Sequence, residues 1–408
     1  MINSFIRLTI VISIFLFSAC KKEDTVLPTS PNGKDQVSTV DAYAAIKAFF
    51  GVEIDPLNLP NYANQGKPAY ITKDNTGSNT ITNEKATIGR VLFYDKNLSV
   101  NNSVSCGSCH KQAFAFSDTA LVSNGVLGGV TDRHSIRLIN ARFGEETRFF
   151  WDERAISLEA QTTQPIANHV EMGYSGQLGR DNINTLLAKL QKIGYYNELF
   201  KFAYGDVSIT EVRMQECLAQ FVRSIQSFDS KYDAGRTLAN NANQDFSNFT
   251  ATENEGKRLF MTPPVFDANS SRIGGGLGCN NCHRAPEFDI DPNTLNNGII
   301  GIANSANGID ITNTRAGTLR DITNAAGEIN TPMMHTGVLR SLRAVINHYN
   351  TINLNPRNTN LDPRLRPGGN GQNLNLTEAE IAAVVAFMQT LGGNNVYVNK
   401  KWSNPFIN

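Results

Sequence analysis

Cys106-Gly107-Ser108-Cys109-His110 and Cys279-Asn280-Asn281-Cys282-His283 are two Cys-x-x-Cys-His pentads in one chain of 408 residues. In this spacing a pair of thiols adds to the vinyl groups of one haem, and the adjacent histidine lies beneath the iron as axial ligand. Cys-x-x-Cys by itself also occurs in zinc knuckles. A zinc site would need further Cys or His ligands, and the only spare cysteines are Cys20 and Cys217. The pentads therefore predict two covalently bound c-type haems, attached at Cys106, Cys109, Cys279 and Cys282, with His110 and His283 as iron ligands.

Covalent haem attachment takes place on exported chains, and the N-terminus has export character. Arg7 precedes a run of apolar and small residues from Leu8 to Ala19. The run is shorter than the roughly twenty residues of a spanning helix and fits a signal-peptide core. It ends in Phe17-Ser18-Ala19-Cys20, which resembles a bacterial lipoprotein box, with Cys20 as the lipidated residue. An ordinary cleaved signal is the alternative. Lys21-Lys22-Glu23-Asp24 resembles a short tag for surface display. The expectation is a protein of the periplasm or cell envelope, lipid-anchored to the outer membrane through Cys20, with residues 21–40 as a polar tether containing Pro28 and Pro31.

Lys plus Arg number 37, equal to Asp plus Glu, so there is no electrostatic footprint for nucleic acid. The chain also repeats itself loosely. Gly89-Arg90-Val91-Leu92-Phe93 precedes the first pentad and Gly256-Lys257-Arg258-Leu259-Phe260 the second. Met214, Leu218, Phe221, Val222 and Ile225 recur at helical spacing downstream of the first pentad, with Cys217 on the same face as a buried, inert thiol. Ile381, Val384, Val385, Met388 and Leu391 do so downstream of the second, after Thr377 as N-cap with Glu380 completing a capping box. A helix before the haem, a pentad opening another and a terminal helix across the first make a cytochrome c arrangement. The expected fold is mainly α, with two cytochrome c-like domains over about 41–240 and 250–400. Asn and Gly collect in 291–308 and 353–375, which read as surface loops rather than strands.

Between the pentads lies Phe149-Phe150-Trp151-Asp152-Glu153-Arg154-Ala155, continuing through Gln161 and Pro165 to Glu171-Met172-Gly173. Here the chain resembles the bacterial di-haem cytochrome c peroxidases and their MauG-type relatives. Further matches are Leu92-Phe93-Tyr94-Asp95, Phe116-Ser117-Asp118, Leu138-Ile139-Asn140, Leu319-Arg320 and Met334-His335-Thr336-Gly337. The resemblance implies Glu171 as proton-transfer group and Gln161 as a neutral orienting group, both over the first haem. Such types suit the task, because O–O heterolysis needs a proton moved between oxygens and a donor holding the leaving oxygen. By the same resemblance Trp151 lies between the haems and Arg320 near them, as a propionate partner. A solvated carboxylate, a polar helix face, a core tryptophan and a surface salt bridge are the bland alternatives.

The resemblance also sets out departures. The standard peroxidases place a loop histidine after the first pentad, and between His110 and Arg133 this chain has none, which implies a first haem open at rest. His134 stands where those enzymes have an asparagine that helps bind calcium, with carbonyls matching Asn330 and Pro332. Calcium prefers oxygen, so the ion is in doubt. His134 reads as a structural hydrogen-bonding residue, with distal haem ligation the alternative. His169 reads as a loop residue and His335 as a hydrogen-bonding one. Tyr349 falls where the standard peroxidases place a methionine ligand, and His348, Met334 or simple packing of Tyr349 compete with that role. The leading reading is reduction of hydrogen peroxide to water, with electrons from an external donor such as a small cytochrome c or cupredoxin entering through the second haem. A MauG-type oxidase acting on a protein or other substrate, and an electron carrier without catalysis, are the rivals.

Overall fold

The computed structural model describes residues 41–145 and 147–406, the side chain of Ile290 excepted. The signal segment, the tether, Cys20 and the tag after it lie outside the described residues. From Ala42 onward the chain clusters as one unit, and it is helix-rich, as expected from the two repeated helix patterns.

Each repeat is a crossed helix pair. In the first, Asn83–Tyr94 packs on Glu211–Ser224; in the second, Ala251–Met261 packs on Glu378–Gln389. The repeated glycines explain the crossing. A Cβ at Gly89 would collide with the Cys217 carbonyl, and one at Gly256 with that of Ala383. Only glycine lets these backbones approach so closely.

The helix starts are set by threonines. Thr82 and Thr210 accept from the amides of Lys85 and Arg213, while Thr250 with Glu253, and Thr377 with Glu380, form full capping boxes. Each cap stabilises its helix by about 1 kcal/mol. The predicted faces are buried: Met214, Leu218, Phe221, Ile225, Ile381, Val384 and Leu391 are each 3 % exposed or less. Cys217 is fully buried with the Tyr204 hydroxyl 3.3 Å from its Sγ, and burial pushes the thiol up to about 12.

Two apolar cores result. Chain order and core membership differ in two places: Tyr232, Phe246 and Phe249 pack in the second core, whereas Val396 and Trp402 pack in the first. The C-terminal segment is held there by Tyr62 and Tyr94, whose hydroxyls donate to the carbonyls of Lys401 and Trp402 at 2.5 and 2.7 Å.

The reading of 291–308 as a strandless surface loop needs correction. Gly301–Ile302 and Ser305–Ile309 pair as an antiparallel hairpin around the turn Ala303-Asn304. Asn296, fully buried, bonds the Ile299 carbonyl and the Asn313 side chain. Asparagine side chains replace missing backbone partners here, so a polar composition does not require a solvated loop.

Candidate functional site

The first pentad opens as a short helix, Cys106–Cys109, started by a capping box between Ser105 and Ser108. His110 follows at its C-terminal end, and its Nδ1 lies 3.0 Å from the Phe116 carbonyl. With a proton on Nδ1 for that bond, the lone pair lies on Nε2. Burial lowers the affinity of His110 for a second proton. The cysteines are partly buried, and desolvation pushes Cys106 up to about 12 and Cys109 to about 11.

Cys106, Cys109 and His110 form one wall of a cavity of about 830 Å3. Gln161, Glu171 and Trp151 line the same cavity. Gln161 sits on the helix Leu158–Thr162, capped by Ser157. Glu171 is held from its backbone: its amide donates to Asn168 Oδ1 at 3.2 Å and its carbonyl accepts from the Val126 amide at 3.0 Å. Desolvation pushes the Glu171 carboxyl up to about 7; Arg154 pulls it back and Asp132 adds to the rise. Arg154 is itself fixed, with its guanidinium 3.5 Å from the centre of the Phe150 ring and paired to Asp152 at 2.8 Å. Arg133 closes the rim, paired at 2.7 Å to both Asp152 and Asp310.

Trp151 touches both halves. Its Nε1 donates to the His134 carbonyl at 2.7 Å and its own carbonyl accepts from Thr314 and Arg315. A methyl at Gly317 would sit 3.9 Å from the Trp151 ring, and the Gly317 carbonyl lies beside the His283 ring of the second pentad. His134 is engaged at both nitrogens, with the Ala120 carbonyl 2.9 Å and the Ser117 hydroxyl 3.3 Å away. Burial lowers its pKa to about 4, so it stays neutral. His335 bonds the Gly301 carbonyl, and His169 the Ser175 hydroxyl.

The second pentad is a turn, Cys279–Asn281, leading into a short hairpin of His283–Arg284 with Asp289–Ile290. Tyr349, on the helix Leu342–Asn350, is half-buried close to Cys279 and Cys282, and desolvation drives its phenol well above the usual range. Asn297 ties the neighbourhood together. Its Nδ2 lies 3.2 Å from Met334 Sδ and 3.4 Å from the Tyr349 hydroxyl, and its carbonyl is 2.9 Å from His348 Nε2.

Arg320 is fully buried and paired to Asp233 at 2.8 Å, with its other Nη donating to the Pro286 carbonyl. Its Nε has no hydrogen-bond partner among the described residues. Sequence reasoning missed Arg137 and Asn297. Arg137 lines the first cavity and donates to the Thr318 carbonyl, and its buried Nε also lacks a partner among the described residues. Its position beside Leu138-Ile139-Asn140 could have flagged it. Asn297 had no such marker, lying in an Asn-rich stretch that read as surface.

A family profile described as "Di-haem cytochrome c peroxidase" matches residues 83–242. The chain is 27% identical over 324 residues to the methylamine utilization protein MauG of Methylophilus methylotrophus, covering 78% of this chain and 84% of the relative. It is 26% identical to the cytochrome c551 peroxidase of Nitrosomonas europaea, covering 76% and 80%. A solved MauG-like protein associated with microbial copper homeostasis superposes with a TM-score of 0.63 at 26% identity, over 84% of this chain and 99% of that one.

These matches make the chain similar to the di-haem cytochrome c peroxidases and MauG proteins.

The similarity implies two haems, and the residues present fit them. Next to the first pentad, the cavity offers the His110 ring and an Arg137 nitrogen without a hydrogen-bond partner among the described residues, suited to a carboxylate substituent. At the second, Tyr349 lies close to Cys279 and Cys282 as an oxygen donor. Family members act as oxidoreductases of peroxidase type, and both branches of the family are among this chain's relatives.

Proposed function

We propose that the protein reduces hydrogen peroxide to water in the cavity at Cys106–His110, with electrons entering by way of the second pentad from a small cytochrome c or cupredoxin. One observation carries the reading: a desolvated glutamate, Glu171, with a carboxyl pKa near 7, lines the same cavity as Gln161 and the pentad. When bound, haem supplies the open coordination position and the redox equivalents. The chain supplies the rest. Glu171 as carboxylate takes the proton from one peroxide oxygen and returns it to the other, which leaves as water. Gln161 donates through its amide without competing for that proton. Trp151 provides an aromatic bridge between the cavity and the Gly317 segment beside His283, and Arg137 holds an anionic haem substituent. Two electrons and two protons per peroxide complete the balance.

Steady-state turnover of peroxide with reduced cytochrome c or a small dye, before and after pre-reduction, tests this. Brisk turnover supports it; none supports a MauG-type oxidase or an electron carrier without catalysis. Tyr349 favours that second reading, because a phenolate ligand stabilises the ferric state and lowers the potential of the second haem. The export reading is tested separately: Cys20→Ser releases the protein from the membrane fraction if Cys20 carries the lipid.

A further inference from the structure

Three side chains able to ligate iron, Tyr349, His348 and Met334, meet at one asparagine. Asn297 Oδ1 accepts from the Ile299 amide at 3.1 Å, a group that can only donate. The amide orientation is thereby fixed, and Nδ2 must carry the hydrogens pointing at Met334 Sδ, 3.2 Å away, and the Tyr349 oxygen, 3.4 Å away. The Asn297 carbonyl takes the proton of His348 Nε2 at 2.9 Å, which occupies that ring nitrogen. The turn is rigid. Gly298 has φ +92°, a conformation that favours glycine, and its amide donates to Asn296 Oδ1 at 2.8 Å. The Asn296 amide in turn donates to the Asn360 carbonyl.

We infer that Asn297 selects the sixth ligand of the second haem, favouring the Tyr349 oxygen over the Met334 sulfur and the His348 nitrogen. A hydrogen bond to sulfur takes up one of the thioether's two lone pairs, holds the side chain on the asparagine and weakens its donation to iron. A hydrogen bond to the phenolic oxygen instead stabilises the anionic form that binds Fe(III). The third competitor is held as a donor to a carbonyl. One amide acts in the same direction on all three. Asn297 is a positioning residue, and the inference rests on the reading of Tyr349 as the ligand in the oxidised protein.

The test is spectroscopic, on holoprotein with both haems confirmed by mass. Wild type is expected to lack the weak near-infrared sulfur-to-iron band. Asn297→Leu, branched at the same atom but without the donor, is expected to gain that band and to raise the potential of the second haem. The double variant Asn297→Leu/Met334→Leu should lose the band again, and Met334→Leu alone should leave the wild-type low-spin spectrum unchanged. An Asn297→Leu spectrum and potential identical to wild type would overturn the selector role while leaving Tyr349 as ligand. A sulfur band already present in wild type would instead remove Tyr349, and the selector with it. Asn297→Ser, which keeps a small donor, should retain the wild-type ligand; a thioether spectrum in that variant also counts against the inference.

Discussion

Both pentads follow a helix whose glycine locks it against a later helix, Gly89 on Cys217 and Gly256 on Ala383, yet their surroundings diverge. The first shares a cavity with a desolvated glutamate and a neutral amide. The second is crowded by Tyr349, which an asparagine also links to His348 and Met334. In the proposed function, room for a small molecule beside one pentad and ligating side chains beside the other divide the labour between bond cleavage and electron supply. The same attachment motif can therefore serve two chemistries, because what faces it is set by residues far away in sequence.

The largest expected effect is loss of one side altogether. Cys106→Ser/Cys109→Ser should carry one haem by mass and show no peroxide turnover. Cys279→Ser/Cys282→Ser should also carry one haem and lose donor-supported turnover, but still react with peroxide in a single turnover. If the two variants behaved alike, the division between the pentads would be wrong.

Next, Glu171→Gln should keep both haems and lower turnover by about a hundredfold or more, the scale of a positioned proton-transfer group. Trp151→Phe keeps an aromatic ring but loses the bond to the His134 carbonyl. It should slow donor-supported turnover by about tenfold, or about 1.4 kcal/mol, with single-turnover peroxide reaction unchanged. Equal slowing of both would place Trp151 in the cavity chemistry rather than between the sites.

The smallest effect concerns the scaffold. Thr377→Ala removes a cap from the second lobe and should cost about 1 kcal/mol in denaturant unfolding, with turnover at saturating peroxide preserved. A much larger loss would show that this cap also positions the second pentad.

Much of this was legible in the sequence for physical reasons. Cys-x-x-Cys-His is a local motif whose chemistry is fixed by its spacing, and the 3.6-residue pattern of Met214 to Ile225 states its buried face directly. Thr377 and Glu380 showed their capping box four residues at a time. What sequence concealed was tertiary. That Val396 and Trp402 return to the first core depends on contacts with Tyr62 and Tyr94 more than three hundred residues away. Arg320 has the charge of a surface residue, and only the fold shows it buried against Asp233. Asn297 belongs to a stretch whose composition matches a solvated loop, and its role appears only when Met334 and Tyr349 are brought beside it.

The pH dependence of peroxide reduction tests the central claim most directly. The carboxyl of Glu171 lies near 7, raised by desolvation from 4.5, and the unprotonated form is the one that accepts the peroxide proton. Turnover per unit peroxide at low concentration should therefore rise with pH through about 7 in the wild type and level off above it. Glu171→Gln should be slow and flat across the same range. A wild-type rise near 7 that persists unchanged in Glu171→Gln would assign the titration to another group and contradict the account.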